Sequence, residues 1–543
     1  MIGVTVDFNL ADLWERVAAT VPARQALVCG ARRMSYGALD AQANRVAHSL
    51  AGLGVGPGEH VGLFLHNCVE FVETMLGCFK LRAVPINVNH RYVADELAYL
   101  LGDGDLVGVV TDPDLLPVVE AVKTRQWVVS VGPEYDSLIG SASADTDFAP
   151  RSADDHYILY TGGTTGRPKG VVWRHEDIFF ATLGGGNPGG PAIAAPEEIA
   201  DTVVVNRANR ARPFLLPGEA EPDQFNSLAL GPLDHASGQW STLGALLSGA
   251  TSVVYSRRHM EMSAVLELVE RERVVMLTLV GDTSGRPLAD ELERHPGARN
   301  TSSLLLLGSG GSILSAAVKE RLMAGLPTVR AISEAIGSSE APVQGVAVAL
   351  ASSEVQTTLR FAGRDVTTVL DDSLRPVKPG SGVVGRLATR GHVPIGYYHD
   401  PVKTAATFVE VNGDRWSLPG DMATVDADGT IRLLGRGSMC INSGGEKVYP
   451  EEVEAVLKDL ETVADAVVVG VGDERWGERV VAVVALSVPG ASIALEDVQA
   501  HCRPRLAGYK VPRQLVVADQ VRRSPAGKPD YAWARSVAAR QSR

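Results

Sequence analysis

The chain has little of what several protein classes require. Its five cysteines, Cys29, Cys68, Cys78, Cys440 and Cys502, form no C-x-x-C pair in 543 residues, so neither a disulfide framework nor a zinc ribbon is indicated. The twelve histidines show no H-E-x-x-H spacing, which leaves transition-metal chemistry without support. No run approaches the ~18 uninterrupted apolar residues that cross a bilayer. The opening stretch carries Asp7, Asp12 and Glu15 where a secretory leader would have a basic start and an apolar run, so a reduced, cytoplasmic setting is expected. Positive charge is in deficit: 51 Lys+Arg against 64 Asp+Glu leave a net charge of −13. Whole-chain nucleic-acid binding needs the opposite balance and is disfavoured.

What is present is ordinary globular material, 45% hydrophobic and 21% charged, with 56 Gly and 30 Pro marking many loops. The length suggests two or three domains. Short apolar runs alternate with helical patterns through the first half. Val61–Leu65, Val84–Val88, Leu106–Thr111 and Trp127–Val131 read as strands, Val69–Phe79 and Asp95–Leu101 as helices. The rhythm returns at Ser227–Leu230, Ser252–Tyr255, Val274–Val280 and Ser303–Leu307, and it argues for an α/β fold with buried, largely parallel strands. Gly184–Pro222 shows little periodicity and is expected to be a long, partly mobile surface excursion. After residue 436 a smaller α+β unit is expected: helices at Pro450–Leu457 and Leu495–Leu506, strands at Ala464–Val471, Val480–Ser487 and Gln514–Val517. There is no internal repeat and no coiled-coil heptad.

The most informative segment is Tyr157–Tyr160, a buried-strand pattern that runs into Thr161-Gly162-Gly163-Thr164-Thr165-Gly166-Arg167-Pro168-Lys169-Gly170. Glycines let backbone N–H groups turn inward on an anion, hydroxyls add donors and Lys169 adds charge. It is not a Walker A loop, which ends in Gly-Lys-Ser/Thr. A glycine-rich hairpin with nothing bound has the same composition, and phosphate binding is the favoured alternative.

Tyr160–Gly170 resembles the phosphate-loop signature of the adenylate-forming superfamily, which includes acyl-CoA synthetases, nonribosomal-peptide adenylation domains and luciferases. Further segments follow in that family's order. They are Gly231–His235 ("P-x-x-H"), Ser309–Ser312, Ile336–Glu340 ("Y-G-x-T-E"), Pro419–Asp421, Leu434–Ser438 ("G-R-x-D") and Ser524–Lys528. Trp173–Ile178, Gly435–Glu454 and Ser524–Tyr531 are similar to actinobacterial acyl-CoA synthetases that include ligases of steroid side-chain carboxylates.

The resemblance implies a large N-terminal domain of stacked α/β subdomains over 1–435 and a smaller mobile α+β C-terminal domain over 436–543, with a hinge near 436–438. The implied function is an ATP-dependent acyl-CoA synthetase, an acid–thiol ligase, acting through an acyl-adenylate on a hydrophobic, steroid-like or aryl carboxylate. ATP, Mg2+ and CoA are the implied cofactors. Both half-reactions develop negative charge on oxygens, so placed cations and donors matter more than a protein nucleophile. The absence of a G-x-S-x-G elbow agrees.

By resemblance, Lys528 is the adenylation lysine. Glu340 holds Mg2+ with Thr161, and Gly162, Gly163, Thr164, Thr165, Gly166 and Lys169 cradle phosphate. Ser309, Gly310, Gly311, Ile336, Gly337, Ser338 and Ser339 line the nucleotide, and Asp421 and Arg436 hold the ribose. His235 rearranges between half-reactions, Ser438 is the hinge, and Gly444, Gly445, Glu446 and Lys447 form a CoA/thioester loop. Two positions depart from the pattern: Ile336 replaces an aromatic and Ser438 replaces Asp or Lys. Trp240, Leu243, Leu246, Val280–Ser284 and Ile332–Ile336 are expected to line an acyl tunnel. Partners are a small carboxylic acid, ATP and CoA, with no nucleic acid and no transmembrane segment; homodimer formation is left open. Two alternatives are kept. One is an enzyme of the same fold with another acceptor: an amine, a carrier-protein thiol, or an inorganic acid such as nitrite as the activated group. The other is a non-catalytic nucleotide-binding regulator.

Overall fold

The computed structural model describes residues 7–122, 126–161, 168–185, 192–209, 212–217, 219–350, 360–443, 446–473, 477–524 and 527–540. Gly162, Gly163, Thr164, Thr165 and Gly166, expected to cradle phosphate, and Gly444 and Gly445, expected in the CoA/thioester loop, lie outside them.

The apolar runs of the first half become parallel strands. One four-stranded sheet has the order Val84–Asn87, His60–Phe64, Leu106–Thr111, Trp127–Ser130, every pair parallel. A larger sheet contains a parallel section ordered Gln25–Cys29, Thr251–Val254, Asn226–Ala229, Met276–Leu279, Leu306–Gly310 and Ala331–Ser338. It then continues antiparallel through Ala341–Leu350, Arg360–Gly363, Thr430–Arg436 and Asp421–Val425. Runs with no polar alternation fit this placement, because parallel strands are covered on both faces.

A three-stranded antiparallel sheet pairs His156–Thr161 with Lys169–Arg174 and the latter with Gly396–Tyr397. Helices Leu10–Thr20, Tyr36–Gly52 and Val69–Leu81 contribute Leu13, Trp14, Leu39 and Phe71 to one large core.

The smaller lobe shows period-two burial on both faces of its sheet. Ala466, Val468, Val480, Ala482 and Val484 face helices Pro450–Lys458 and Leu495–Cys502. Val467, Val469, Val481 and Val483 face helix Tyr531–Arg540. Each buried valine stabilises the lobe by roughly 1.5–3 kcal/mol. The strand Thr430–Arg436 belongs to the large sheet and Ile441–Ser443 to the small one, with a single 3-10 turn, Gly437–Met439, between them.

Several expectations need correction. Gly184–Pro222 is not structureless, since Glu198–Asn209 is an α-helix. Ile199 and Val203, four residues apart, are buried in the core that holds helix Leu10–Thr20; the flanking Gly and Pro hid that spacing. The strand read at Ser303–Leu307 is Leu306–Gly310, and the helix read to Leu506 ends at Cys502. Leu243, Leu246 and Ile332 are 2%, 0% and 1% exposed and sit in hydrophobic cores, so they pack the lobe instead of lining a tunnel.

Candidate active site

The hairpin of Ala331–Ser338 and Ala341–Leu350 turns at Ser339 and Glu340. Its turn can be this tight because Gly337 has no side chain: a Cβ there would lie 2.1 Å from the carbonyl oxygen of Pro342. The turn is fixed from two sides. Trp173 Nε1 donates to the Ser339 carbonyl at 3.2 Å and Ser417 Oγ to the Glu340 carbonyl at 2.8 Å. The Glu340 side chain is buried and accepts from the Tyr397 hydroxyl at 2.6 Å. Burial acts to raise its pKa, but the Tyr397 hydrogen bond and the Arg436 charge outweigh that and hold it below the usual carboxylate value. Glu340 is therefore an ionised oxygen donor inside the protein.

Ile336 does not stand open to a ligand. It packs with Phe361, Val369 and Leu387, while its strand neighbours Ala335 and Gly337 are exposed, as the two-residue strand period requires. Ser338 is half-buried, with Oγ accepting from the Glu340 amide at 3.3 Å.

Asp421 opens its strand after Gly420, which has φ +101°. It pairs across the ladder with Arg436, and Arg436 Nε lies 3.0 Å from Asp421 Oδ1. Burial pushes the Asp421 carboxyl up despite the Arg436 charge, with Glu340 adding in the same direction. Asp421, Arg436 and Glu340 thus form one cluster at the edge of the large lobe.

The tip that carries Lys528 is seated on the other wall. Gly527 has φ +73° and touches the large lobe so closely that a Cβ would lie 2.9 Å from Ser312 Oγ, 3.0 Å from Val280 and 3.1 Å from Thr283. Solvent reaches the Lys528 side chain, yet protein from the two lobes surrounds it, and Glu340, Asp421 and Arg436 are all within its electrostatic reach. That desolvation, followed by the Arg436 charge, pushes the ammonium below its ordinary pKa. Ser309, Gly310 and Gly311 lie at the carboxyl end of a parallel strand, where ligands of open α/β sheets bind. Ser309 Oγ accepts from the Gly281 amide at 3.2 Å and Gly311 has φ +81°.

His235 caps helix Ala236–Leu247 and is also within reach of Lys528. Burial pushes its pKa down, against Asp234 3.8 Å away, so the ring is neutral near pH 7. Neither His235 Nε2 nor Asp234 Oδ1 has a hydrogen-bond partner. The other oxygen of Asp234 accepts from His90 Nδ1 at 2.8 Å. Asn87 Nδ2 ties the Asp234 carbonyl, 2.7 Å, to the Tyr160 carbonyl, 2.8 Å, where the strand runs into the glycine-threonine loop.

Thr161 and Lys169 face each other where that loop opens, and Lys169 is ion-paired with Asp400. Ser438 lies in the turn Gly437–Met439. Glu446 and Lys447 are on the edge strand of the small sheet, where Glu446 is exposed. Sequence reasoning missed Tyr397, Asp400, Asp465 and Arg523. Their local spacing does not mark them: Tyr397, Asp400 and the Asp465–Arg523 pair each meet a partner at least 57 positions away.

The AMP-binding enzyme family matches residues 14–398, and the AMP-binding enzyme C-terminal domain matches 452–528. A 3-oxocholest-4-en-26-oate–CoA ligase of Rhodococcus rhodochrous is 41% identical, over 97% of this chain and 95% of that protein. The medium-chain acyl-CoA ligase Mig of Mycobacterium avium is 37% identical, over 99% and 100%. Among solved structures, the anthranilate CoA ligase AuaEII in complex with anthranoyl-AMP superposes with a TM-score of 0.82 at 23% identity over 98% of each chain, which shows the fold.

Proposed function

The chain belongs to the AMP-binding enzyme family, and on that premise we propose which residues do its chemistry and which acid it takes. It is an ATP-dependent acyl-CoA synthetase, an AMP-forming acid–thiol ligase. A carboxylate oxygen bonds to the α-phosphorus as the bond to pyrophosphate breaks. The CoA sulfur then bonds to the acyl carbon and AMP leaves.

Lys528 is the cation that meets the carboxylate and the α-phosphate in the first step. A positive charge placed before reaction costs no reorganisation as oxyanion charge develops. Asp421 accepts from the ribose hydroxyls and Arg436 orients it. Gly162, Gly163, Thr164, Thr165, Gly166 and Lys169 bind phosphate. Ser309, Gly310, Gly311 and the Gly337–Ser339 turn line the nucleotide. Neutral His235 rearranges between half-reactions, and the Gly437–Met439 turn with Ser438 is the hinge that brings Gly444, Gly445, Glu446 and Lys447 to the thioester step.

Glu340, with Thr161, would hold Mg2+. Among the described residues no group of three or more His, Cys, Asp or Glu could hold a metal, so a hard cation here would take one or two protein oxygens and complete its shell with phosphate and water. Mg2+ bound there would neutralise phosphate charge.

The substrate is a hydrophobic carboxylate, with a steroid side-chain acid first, as in the 3-oxocholest-4-en-26-oate–CoA ligases, and a medium-chain fatty acid next. The enzyme acts in the cytoplasm. No helix among the described residues is long and apolar enough to cross a membrane, and all five cysteines are free. The observation that carries the assignment is Gly527 pressed on the large lobe, with Lys528 sharing the field of Glu340, Asp421 and Arg436. Screening carboxylic acids with ATP and CoA, by pyrophosphate release and product mass, tests it. Pyrophosphate release without a thioester would point to another acceptor, and no pyrophosphate with any acid to a regulator.

A further inference from the structure

We propose that Arg523 is the positioning residue of Lys528, and that it is tied to the large lobe through Asp465, Lys458 and Asp282. The proposal rests on the assignment of Lys528 as the adenylation lysine.

At the base of the tip Arg523 forms an antiparallel bridge with Pro529, and Ser524 N donates to the Lys528 carbonyl at 2.8 Å. Gly527 directly precedes Lys528, and at φ +73° its backbone has a freedom that no side chain restricts. Arg523 removes that freedom. Its Nη1 donates to the Gly527 carbonyl at 2.8 Å, which fixes the peptide plane leading into Lys528. The rest of the guanidinium holds Asp465, Nε to Oδ2 at 2.6 Å and Nη2 to Oδ1 at 2.8 Å, with Nη2 also donating to the Ala466 carbonyl at 3.3 Å. This is a bidentate fork that only arginine can make while also reaching a third acceptor. The side chain is 10% exposed, so the pair is shielded from competing water.

The anchor continues across the lobe boundary. Lys458, the last residue of helix Pro450–Lys458, lies 3.4 Å from Asp465 and 4.0 Å from Asp282 Oδ2 of the large lobe. Asp282 Oδ1 accepts from the Ser315 amide at 2.8 Å, whereas Oδ2 is buried with no hydrogen-bond partner. Two cations approach that oxygen, Arg286 Nη2 from the same helix at 3.8 Å and Lys458, 4% exposed, from the small lobe at 4.0 Å; of the two, Lys458 links it across the lobe boundary. The charges therefore alternate from Asp282 through Lys458 and Asp465 to Arg523. The large-lobe segment that receives Lys458 at Asp282 is the one that receives Gly527 at Val280 and Thr283. The tip and its brace dock on one surface, so lobe closure and the aim of Lys528 are set together.

The test uses the full-length protein with two measurements: pyrophosphate release from ATP and acid without CoA, and thioester formation from supplied acyl-adenylate and CoA. Arg523→Met slows the first by about 30-fold or more, the scale of loss for a misplaced reacting group, and leaves the second within about threefold. Arg523→Lys restores part of the first rate. Asp282→Asn keeps the acceptor for Ser315 and the small lobe intact, and slows adenylation about fivefold with thioesterification unchanged; it decides the matter if Arg523→Met does not fold. Equal loss in both half-reactions, or adenylation within about twofold of wild type in Arg523→Met and Asp282→Asn, overturns the proposal. Lys528→Ala run alongside separates the two assignments. If it leaves adenylation intact the lysine assignment fails, and if it abolishes adenylation while Arg523→Met does not, only the positioning role fails.

Discussion

Tyr397 donates its hydroxyl to Glu340 Oε1 at 2.6 Å, joining a short strand of the three-stranded sheet to the hairpin turn of the large one. That bond holds one carboxylate oxygen in place and keeps the carboxyl ionised despite burial. Tyr397→Phe removes the donor and lets the Glu340 pKa rise. The Mg2+ concentration for half-maximal pyrophosphate release is expected to increase about fivefold, with the rate recovered at saturating Mg2+. An unchanged Mg2+ dependence would separate Glu340 from the metal.

Lys528→Ala is expected to lower adenylate formation by at least about 100-fold while sparing thioesterification of supplied acyl-adenylate to within about threefold. The comparison is made by pyrophosphate release and by thioester yield on one protein preparation.

The ammonium is the form proposed to act at Lys528, and desolvation by the surrounding protein with the Arg436 charge pushes its pKa below the ordinary lysine value of 10.5. Its charge is present at low pH and lost as pH rises through the lowered value. The alkaline limb of pyrophosphate release therefore falls before pH 10.5. In Lys528→Arg the charge persists at that pH, so residual activity should lose this limb. A limb unmoved by the substitution would assign it to another group.

Asp421→Ala removes the proposed ribose acceptor and leaves Arg436 without its 3.0 Å partner. The KM for ATP should rise by about 10- to 50-fold, equivalent to roughly 1.4–2.3 kcal/mol, and the KM for CoA should stay within about twofold. Initial rates at varied ATP and CoA decide it. Equal weakening of both would place Asp421 outside the nucleotide site.

Much of the fold is legible along the chain. Short apolar runs rich in valine, such as Leu106–Thr111, are too brief for a helix and fit strands buried on two faces, and the structure makes them parallel. The helix Glu198–Asn209 escaped because its core contacts, Ile199 and Val203, are too few to stand out among Gly and Pro. Leu243 and Leu246 show the reverse error, since apolar spacing on a helix reports burial and cannot distinguish a core from a ligand pocket.

Local order also singled out Glu340, Asp421, Arg436 and Lys528 as the candidates whose roles are proposed above, because a turn glycine, a carboxylate at a strand start or a lysine after Ala-Gly is a property of neighbours in the chain. Which distant groups face them is not. Tyr397 beside Glu340 and Asp465 on the Arg523 guanidinium follow from how the sheets are assembled. A side chain's ionisation depends on everything within several ångströms whatever its place in the sequence, so only the tertiary structure decided that Glu340 is charged, that His235 is neutral and that the Lys528 ammonium is pushed below its ordinary pKa.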